Sequence, residues 1–473
     1  MPLIDELTST LGSARVHSHP LELMVYNKDA GVTTGDVAVA ILPETTQEVA
    51  ACVRIARRYG VPVVARGAGT GLAGGAVPVQ PSLLMVLTRM NQIWEVDTQA
   101  QTAWVGPGVL NLDLSRHTDH LGLHYAPDPS SQAACTIGGN VGTNAGGPHC
   151  LAEGTTVAHI HAVEMVTADG DIVTLGEKAP DPVGLDLRAV VVGSEGTLGI
   201  VTKVLVKLTE NPPAVRTMLL TFDSIQAAAA TVSGTIAAGI VPAALEMMDQ
   251  PMVIAVENFI HGGLPVDATA VLLAEVVGLD AGVDAEAEVI ERIANDAGAT
   301  SVRIAADDEE RALLWKARKN AFGAVAQAAP DYYLHDTVVP RTRLVEVMTK
   351  IYEIGERYEI KMLNVFHAGD GNLHPLVAYD AREPGASERV KAAAEEMVRV
   401  SVAAGGSLTG EHGVGIEKRD LMGIVFGPVD LDAQARLREA FDPDNSLNPG
   451  KILPLGSRCY DYGLVSDPWQ ESS

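Results

Sequence analysis

Ala65-Arg-Gly-Ala-Gly-Thr-Gly-Leu-Ala-Gly-Gly-Ala76 follows an apolar run from Val61 to Val64, and Thr136-Ile-Gly-Gly-Asn-Val-Gly-Thr-Asn-Ala-Gly-Gly147 repeats its chemistry further along the chain. Runs of this kind can turn several backbone N–H groups toward one anion, and glycine lets a pyrophosphate approach with no Cβ in the way. Neither run fits the dinucleotide fingerprint of a Rossmann unit: Gly67 and Gly69 lack a third glycine three residues on, and no helical period follows at once. Either run alone also reads as a tight turn with no ligand. Two of them in one chain favour a phosphate-bearing cofactor.

Outward from these runs, the pattern predicts a mixed domain of short strands and helices. A strand at Ala38–Leu42 precedes a helix from about Thr46, where Val49, Cys52, Val53 and Ala56 fall on one face. Strands follow at Leu83–Leu87, Ile93–Val96 and Ala103–Val105, then a helix over Leu110–Leu121. Asn211-Pro212-Pro213 breaks any regular element and marks a boundary. Beyond it, strands at Thr217–Phe222 and Val271–Val276 and helices at Ile225–Ala238 and Ala285–Ala297 predict a sheet with helices on one face. Strand Met362–Phe366 and helix Ser387–Ala404 are expected to add a second layer.

The chain has 473 residues, 47% of them hydrophobic, enough for two or three domains. Its 34 basic and 60 acidic residues give a net charge of −26, which disfavours nucleic acid and anionic lipid surfaces. No apolar run reaches the roughly eighteen residues of a membrane span, and the first residues lack the basic and apolar regions of a signal peptide. Cys52, Cys135, Cys150 and Cys459 show no Cys-x-x-Cys spacing, against an iron–sulfur cluster or a disulfide framework. A cytoplasmic chain is expected, peripheral to the inner membrane only through a partner.

Near the C-terminus, His367-Ala-Gly-Asp-Gly-Asn-Leu-His374 precedes Gly410-Glu411-His412-Gly413. Neutral imidazoles and a carboxylate in glycine-rich turns suit a divalent metal. A turn at Asp370-Gly371 would join the strand ending at Phe366 to an extended stretch over Pro375–Ala378 and set His367 beside His374. Glu411 would be the third ligand, the metal Zn²⁺ or Mn²⁺, and His412 the base for a substrate proton. The alternative, in which these histidines only hydrogen-bond substrate and cofactor, stays open.

Pro43-Glu-Thr-Thr-Gln-Glu-Val49, the Arg66 loop, Pro127-Asp-Pro-Ser-Ser131, the Thr136 run, Gly193-Ser-Glu-Gly-Thr-Leu-Gly-Ile200 and Asn448-Pro-Gly-Lys451 occur in the order found in flavoproteins of the vanillyl-alcohol oxidase type. With Trp315-Lys-Ala-Arg-Lys-Asn-Ala-Phe322 and the His367 and Gly410 segments, the chain from about Gly35 to Cys459 resembles the FAD-linked 2-hydroxy-acid dehydrogenases of that superfamily, the glycolate oxidase and D-lactate dehydrogenase group. The resemblance implies an α+β fold. Its parts are a lead-in over 1–33, a two-lobed PCMH-type FAD-binding domain over 34–211, an α/β cap (substrate) domain with an antiparallel sheet over 212–440, and a segment over 441–473 packing back on the FAD domain.

The same resemblance implies that Gly67, Gly69, Thr70 and Gly71 face the pyrophosphate of FAD, with Gly138, Gly139, Gly142 and Asn144 on its other side. Glu195, Gly196 and Ile200 would sit near the adenosine, and Arg66, Asp128 and Asn448 complete the cofactor contacts. Thr70 stands where relatives with tethered flavin commonly carry histidine, which implies non-covalent FAD. Arg318 would clamp a carboxylate with its planar fork, and hydride would pass to the flavin.

The implied reaction is oxidation of a small D-2-hydroxy acid, glycolate or D-lactate, to the 2-oxo acid. Electrons would leave through a soluble acceptor or an electron-accepting iron–sulfur subunit, and a homodimer is compatible with the sequence. Dicarboxylate-specific relatives place polar or basic groups at positions corresponding to Phe322, Leu334 and Leu376, all apolar here, although Lys319 and His335 lie adjacent. Competing readings are a D-2-hydroxyglutarate-type dehydrogenase, a non-redox flavin-dependent synthase of the same fold, a metal hydrolase and a non-catalytic flavin module. The hydrolase leaves the glycine runs unexplained, and the module leaves Arg318 and the histidines idle.

Overall fold

The computed structural model describes residues 2–179, 183–327 and 329–455; Cys459 and the remainder of the expected C-terminal segment lie outside them. The chain forms two compact units. Unit one holds the residues up to Gly146, Thr155–Asn211 and the chain from Glu411 on, and unit two holds Gly147–Gly154 and Pro212–Gly410.

In unit one, β1 (Val16–His17), β2 (Val37–Ile41), β3 (Val63–Arg66) and β4 (Ser82–Val86) make a sheet in the order β1-β2-β4-β3, with β4 parallel to both β2 and β3. Parallel strands covered on both faces need continuous apolar sequence, as Val-Ala-Val-Ala-Ile in β2 supplies. The helix Thr46–Arg58 starts where the Thr45 hydroxyl accepts from the Glu48 N–H, and it buries Val49, Cys52, Val53 and Ala56 on the predicted face. A second, antiparallel sheet of β5 (Ile93–Asp97), β6 (Thr102–Val105), β8 (Ile160–Val166), β9 (Ile172–Gly176) and β10 (Ile200–Lys207) has the order β5-β6-β10-β8-β9. The short β7 (Leu123–His124) pairs with β11 (Thr209–Glu210).

The lead-in is part of this unit. Helix Pro2–Leu11 places Leu7 and Leu11 in the core with Val49 and Val53. Further on, the Ala30 N–H donates to Gly71 O and the Asp29 carboxylate accepts from the Gly74 N–H. A loop of glycines has no side chains to fix its shape, and Asp29 supplies that bracing. The chain also rejoins unit one at Glu411 rather than at Phe441.

Unit two is built on one antiparallel sheet of β12 (Ala214–Phe222), β13 (Ala244–Asp249), β14 (Ala270–Gly278), β15 (Ala299–Ile304), β16 (Asp331–Leu334), β17 (Thr337–Val338), β18 (Lys361–His367) and β19 (Asn372–Tyr379). The order is β15-β12-β14-β13-β18-β19-β16, with β17 also paired to β19. The expected second layer at Met362–Phe366 is therefore corrected. That strand is internal to the sheet, because β13 pairs with it (Glu246 opposite His367, Met248 opposite Val365).

Directly paired residues of an antiparallel sheet share a face, as do alternate residues of a strand. The registers thus put Thr217, Glu275, Glu246, His367, Asn372, His374, Leu376 and Leu334 on one face. The other face is covered in part by helix Leu344–Arg357, whose Tyr352 donates to Asp249 alongside Asn364.

Candidate active site

Helix Asp308–Lys319 supplies the cations on the polar face of unit two. It is capped by Asp307, whose carboxylate accepts from the Glu310 N–H, and its three acidic residues in the first turn suit the positive end of the helix dipole. Arg311, Trp315 and Arg318 recur at spacings of four and three and so project from one side. Arg311 and the Trp315 indole donate to Glu275, which also accepts from the Thr217 hydroxyl. His149, from the Gly147–Gly154 segment, stacks on Trp315 with ring centroids 5.3 Å apart. Burial alone would raise the Glu275 carboxyl, but the bonds from His149 and Arg311 and the arginine charge outweigh it and hold the group well below the ordinary range.

Arg318 is 1% exposed, and its Nη2 lies 2.5 Å from Glu246 Oε2. It is not the solvated helix arginine that its sequence context also allows. His367 Nδ1 lies 2.8 and 2.9 Å from the two oxygens of the same carboxylate and 3.4 Å from Arg318 Nη2. A guanidinium has no acceptor and an ionised carboxylate no donor, so the His367 proton belongs on Nδ1, donated to Glu246. His367 and His374 are set side by side as the hairpin predicts, with ring centroids 5.0 Å apart and planes nearly perpendicular.

The turn is fixed by Gly371, whose φ is +80° and whose Cβ would meet Val339 O at 2.1 Å, and by Asp370, which accepts from the Asn372 N–H. Asp336, fully buried, approaches His374 Nδ1 to 3.9 Å and accepts from Thr409 Oγ1 and the Gly410 N–H. Gly410 is the last residue of unit two, and Glu411 follows it as the first residue of the returning chain. Within unit one, His412 Nε2 lies 3.7 Å from Glu411 Oε1.

The glycine runs of unit one fit a large ligand. A Cβ on Gly142 would meet no protein atom, and one on Gly71 would only graze Asp29 at 4.0 Å, so open space borders both. Arg66 Nη1 and Glu195 Oε2 are buried with no hydrogen-bond partner among the described residues, as expected of groups awaiting one. The Arg66 guanidinium underlies Gly69, where any Cβ would strike it, and burial lowers its pKa. The second run departs from expectation. Residues Ile137–Thr143 form a short helix because the Thr136 hydroxyl caps the Gly139 N–H and Gly138 packs on Pro107, leaving no room for a side chain. Asn144 ends this helix in the left-handed conformation, Asp128 is buried, and Gly196 and Glu195 both adopt positive φ.

Two residues expected beside the cofactor also have partners within the protein. Asn448 donates from Nδ2 to Gly75 O and Glu195 O and accepts from Lys451 Nζ, so its amide is consumed within the protein. Ile200 is buried in the core of the first sheet. Glu195 accepts from the Val414 and Gly415 N–H groups, and so braces the turn after His412. Sequence reasoning missed Glu246, Glu275, Asp336 and Asp29. The one legible signal was a lone carboxylate inside an apolar run, as in Ala243-Ala-Leu-Glu-Met-Met248.

Lys451 is also buried, donating to Val77 O, and burial lowers its pKa to about 7 from 10.5. Between those values the unfolded chain binds the proton that the folded one has released, so this group makes stability rise with pH from about 7 to about 10.5. Thermal melting across that window should show wild type gaining on Lys451→Met as pH rises; parallel curves would refute the assignment.

A family profile described as FAD linked oxidases, C-terminal domain, matches residues 211–452, and one described as FAD binding domain matches residues 37–176. The chain belongs to the FAD-linked oxidase family. This FAD-linked oxidase is 43% identical to the glycolate oxidase subunit GlcD of Escherichia coli (strain K12), over 98% of this chain and 95% of that protein. It is 31% identical to the D-lactate dehydrogenase of Anaerostipes hadrus, over 88% of this chain and 89% of that one. Its fold is shared with a crystal structure of p-cresol methylhydroxylase with substrate bound, at TM-score 0.81 and 18% identity, covering 97% of each chain. The chain therefore has the α+β, PCMH-type fold and is an FAD-dependent oxidoreductase. No described helix is long and apolar enough to cross a membrane.

Proposed function

We propose that this enzyme oxidises a small D-2-hydroxy acid, glycolate or D-lactate, to the 2-oxo acid. The observation that carries this reading is the convergence of Arg318, His367 and His374 on one face of the unit-two sheet, beside an apolar pair in which Leu334 lies opposite Leu376. Arg318 holds the substrate carboxylate, using the part of its fork that Glu246 does not occupy, including Nε, which has no partner among the described residues. His412 removes the hydroxyl proton. FAD, held non-covalently by the two glycine runs, supplies the hydride acceptor when bound. A Zn²⁺ or Mn²⁺ held by His367, His374 and Glu411 would lower the pKa of the substrate hydroxyl.

The nitrogen and oxygen donor set suits such a cation, and the Glu246 hydrogen bond leaves His367 Nε2 with its lone pair. The GlcD relative is named as a subunit, which supports an electron-accepting partner, with iron–sulfur chemistry as the class this chain lacks. Any link to the inner membrane would run through that partner. Anaerobic mixing with a panel of 2-hydroxy acids, with metal measured on the same preparation, tests the reading: glycolate or D-lactate should bleach the flavin. A flavin left oxidised by every acid of the panel would refute it.

Substrate size follows from the same face. Leu334 and Leu376 are buried, Phe322 is partly so, and a second carboxylate placed against them would cost several kcal/mol without a partner. D-2-hydroxyglutarate should therefore be oxidised with a specificity constant orders of magnitude below that for D-lactate, and equal constants in steady-state assays would overturn this pocket assignment.

A further inference from the structure

We propose that Glu246 is the positioning residue of this site: a single carboxylate that sets both the proton position on His367 and the aim of Arg318. The inference deepens the functional reading above and rests on it. Glu246 is 1% exposed in the middle of β13, flanked by Leu245 and Met247, where an ionised carboxylate would be costly without partners. It has two. Oε2 meets Arg318 Nη2 at 2.5 Å, and both oxygens lie within 2.9 Å of His367 Nδ1. The pairing register places Glu246 opposite His367 on the neighbouring strand, so this contact is fixed by the sheet and not by a mobile loop.

Two consequences follow from one acceptor serving two donors. The carboxylate has no proton to give, so His367 must present Nδ1–H to it and keep the Nε2 lone pair for whatever lies beyond the strand end. The arginine, tethered through Nη2, cannot rotate its fork freely, which lowers the entropy lost when a substrate carboxylate is engaged. Glutamine at this position has nearly the same shape but one oxygen and one NH₂. Its oxygen goes to Arg318, a cation that can only donate, so its NH₂ faces His367 Nδ1; His367 is driven to the other tautomer, with Nε2 protonated and no longer a ligand.

The test is Glu246→Gln beside Glu246→Asp in the FAD-loaded enzyme, with melting temperature and flavin spectrum recorded for both. Mn²⁺ affinity is measured by titration into chelated protein, and KM and kcat are measured for D-lactate. The expected result for E246Q is a 10- to 100-fold weaker Mn²⁺ affinity, the range for losing the partner of a ligating histidine, with KM raised and kcat lowered. E246D should recover part of both because it keeps the charge. Folded E246Q with wild-type Mn²⁺ affinity and an unchanged KM and kcat would overturn the proposal. Where E246Q fails to fold, E246D decides: its shortened carboxylate should still shift affinity or KM, and wild-type values for both would overturn the assignment. Should the wild type bind no Mn²⁺ yet oxidise D-lactate, the metal reading fails separately, and KM and kcat alone decide the role of Glu246. A wild type that oxidises no 2-hydroxy acid overturns the functional reading and this proposal with it.

Discussion

His412→Ala is expected to keep its FAD and to reduce it about two to four orders of magnitude more slowly than the wild type, the usual loss when a general base is removed. The segment that carries His412 is held from elsewhere: Glu195 accepts from the Val414 and Gly415 N–H groups, so alanine removes the imidazole without releasing the turn. The glycine runs at Arg66 and Thr136, proposed to hold FAD, are separate from the substitution in sequence and have their own braces at Asp29 and Pro107. Rapid mixing with D-lactate under anaerobic conditions measures the rate, and near-normal reduction would remove His412 from the role of base.

His374→Ala is expected to lower bound metal and turnover together while the flavin spectrum stays intact. A polarising cation contributes several kcal/mol to the stabilisation of developing charge, so turnover should fall roughly a hundredfold or more. His374 lies on an internal strand opposite Val365, and alanine there leaves the backbone pairing in place. Glu411→Ala should behave alike. If exhaustive chelation of the wild type left no metal bound and turnover unchanged, His367 and His374 would be hydrogen-bonding groups only.

Much of the fold was legible because its signals are local. Strand Ile93–Val96, the amphipathic helix from Thr46 and the break at Asn211-Pro212-Pro213 all depend on neighbours in sequence, and the structure carries each of them. The hairpin between His367 and His374 was legible for the same reason, since Asp370-Gly371 encodes its own turn. What was not legible depends on distant pairing. Strand Met362–Phe366 reads identically whether it starts a new layer or fills a gap beside β13, and only the register with Glu246 decides. Glu246 and Glu275 sit in apolar strands, and nothing nearby in sequence announces the arginines that neutralise them. Ile200 and Asn448 are expected beside the cofactor by motif, and a motif does not announce the core packing of the one or the carbonyl contacts of the other.

The Gly147–Gly154 segment has a bearing on how such enzymes can be rearranged. The polypeptide passes between the units at 146/147, 154/155, 211/212 and 410/411, so no single cut in the gene separates them. A fragment starting at Pro212 would lose the Leu151 side chain that packs over Gly369 and the His149 ring that stacks on Trp315. Grafting a new substrate domain onto this flavin domain would therefore require two simultaneous insertions, the large one and an eight-residue loop, matched to each other. Recombination that exchanged only the larger piece would leave the His149 loop facing a foreign domain, without the Glu275 and Trp315 it meets here. If the proposed pocket is right, substrate choice in this enzyme should be easier to alter by point substitution around the Leu334–Leu376 pair than by wholesale exchange of domains.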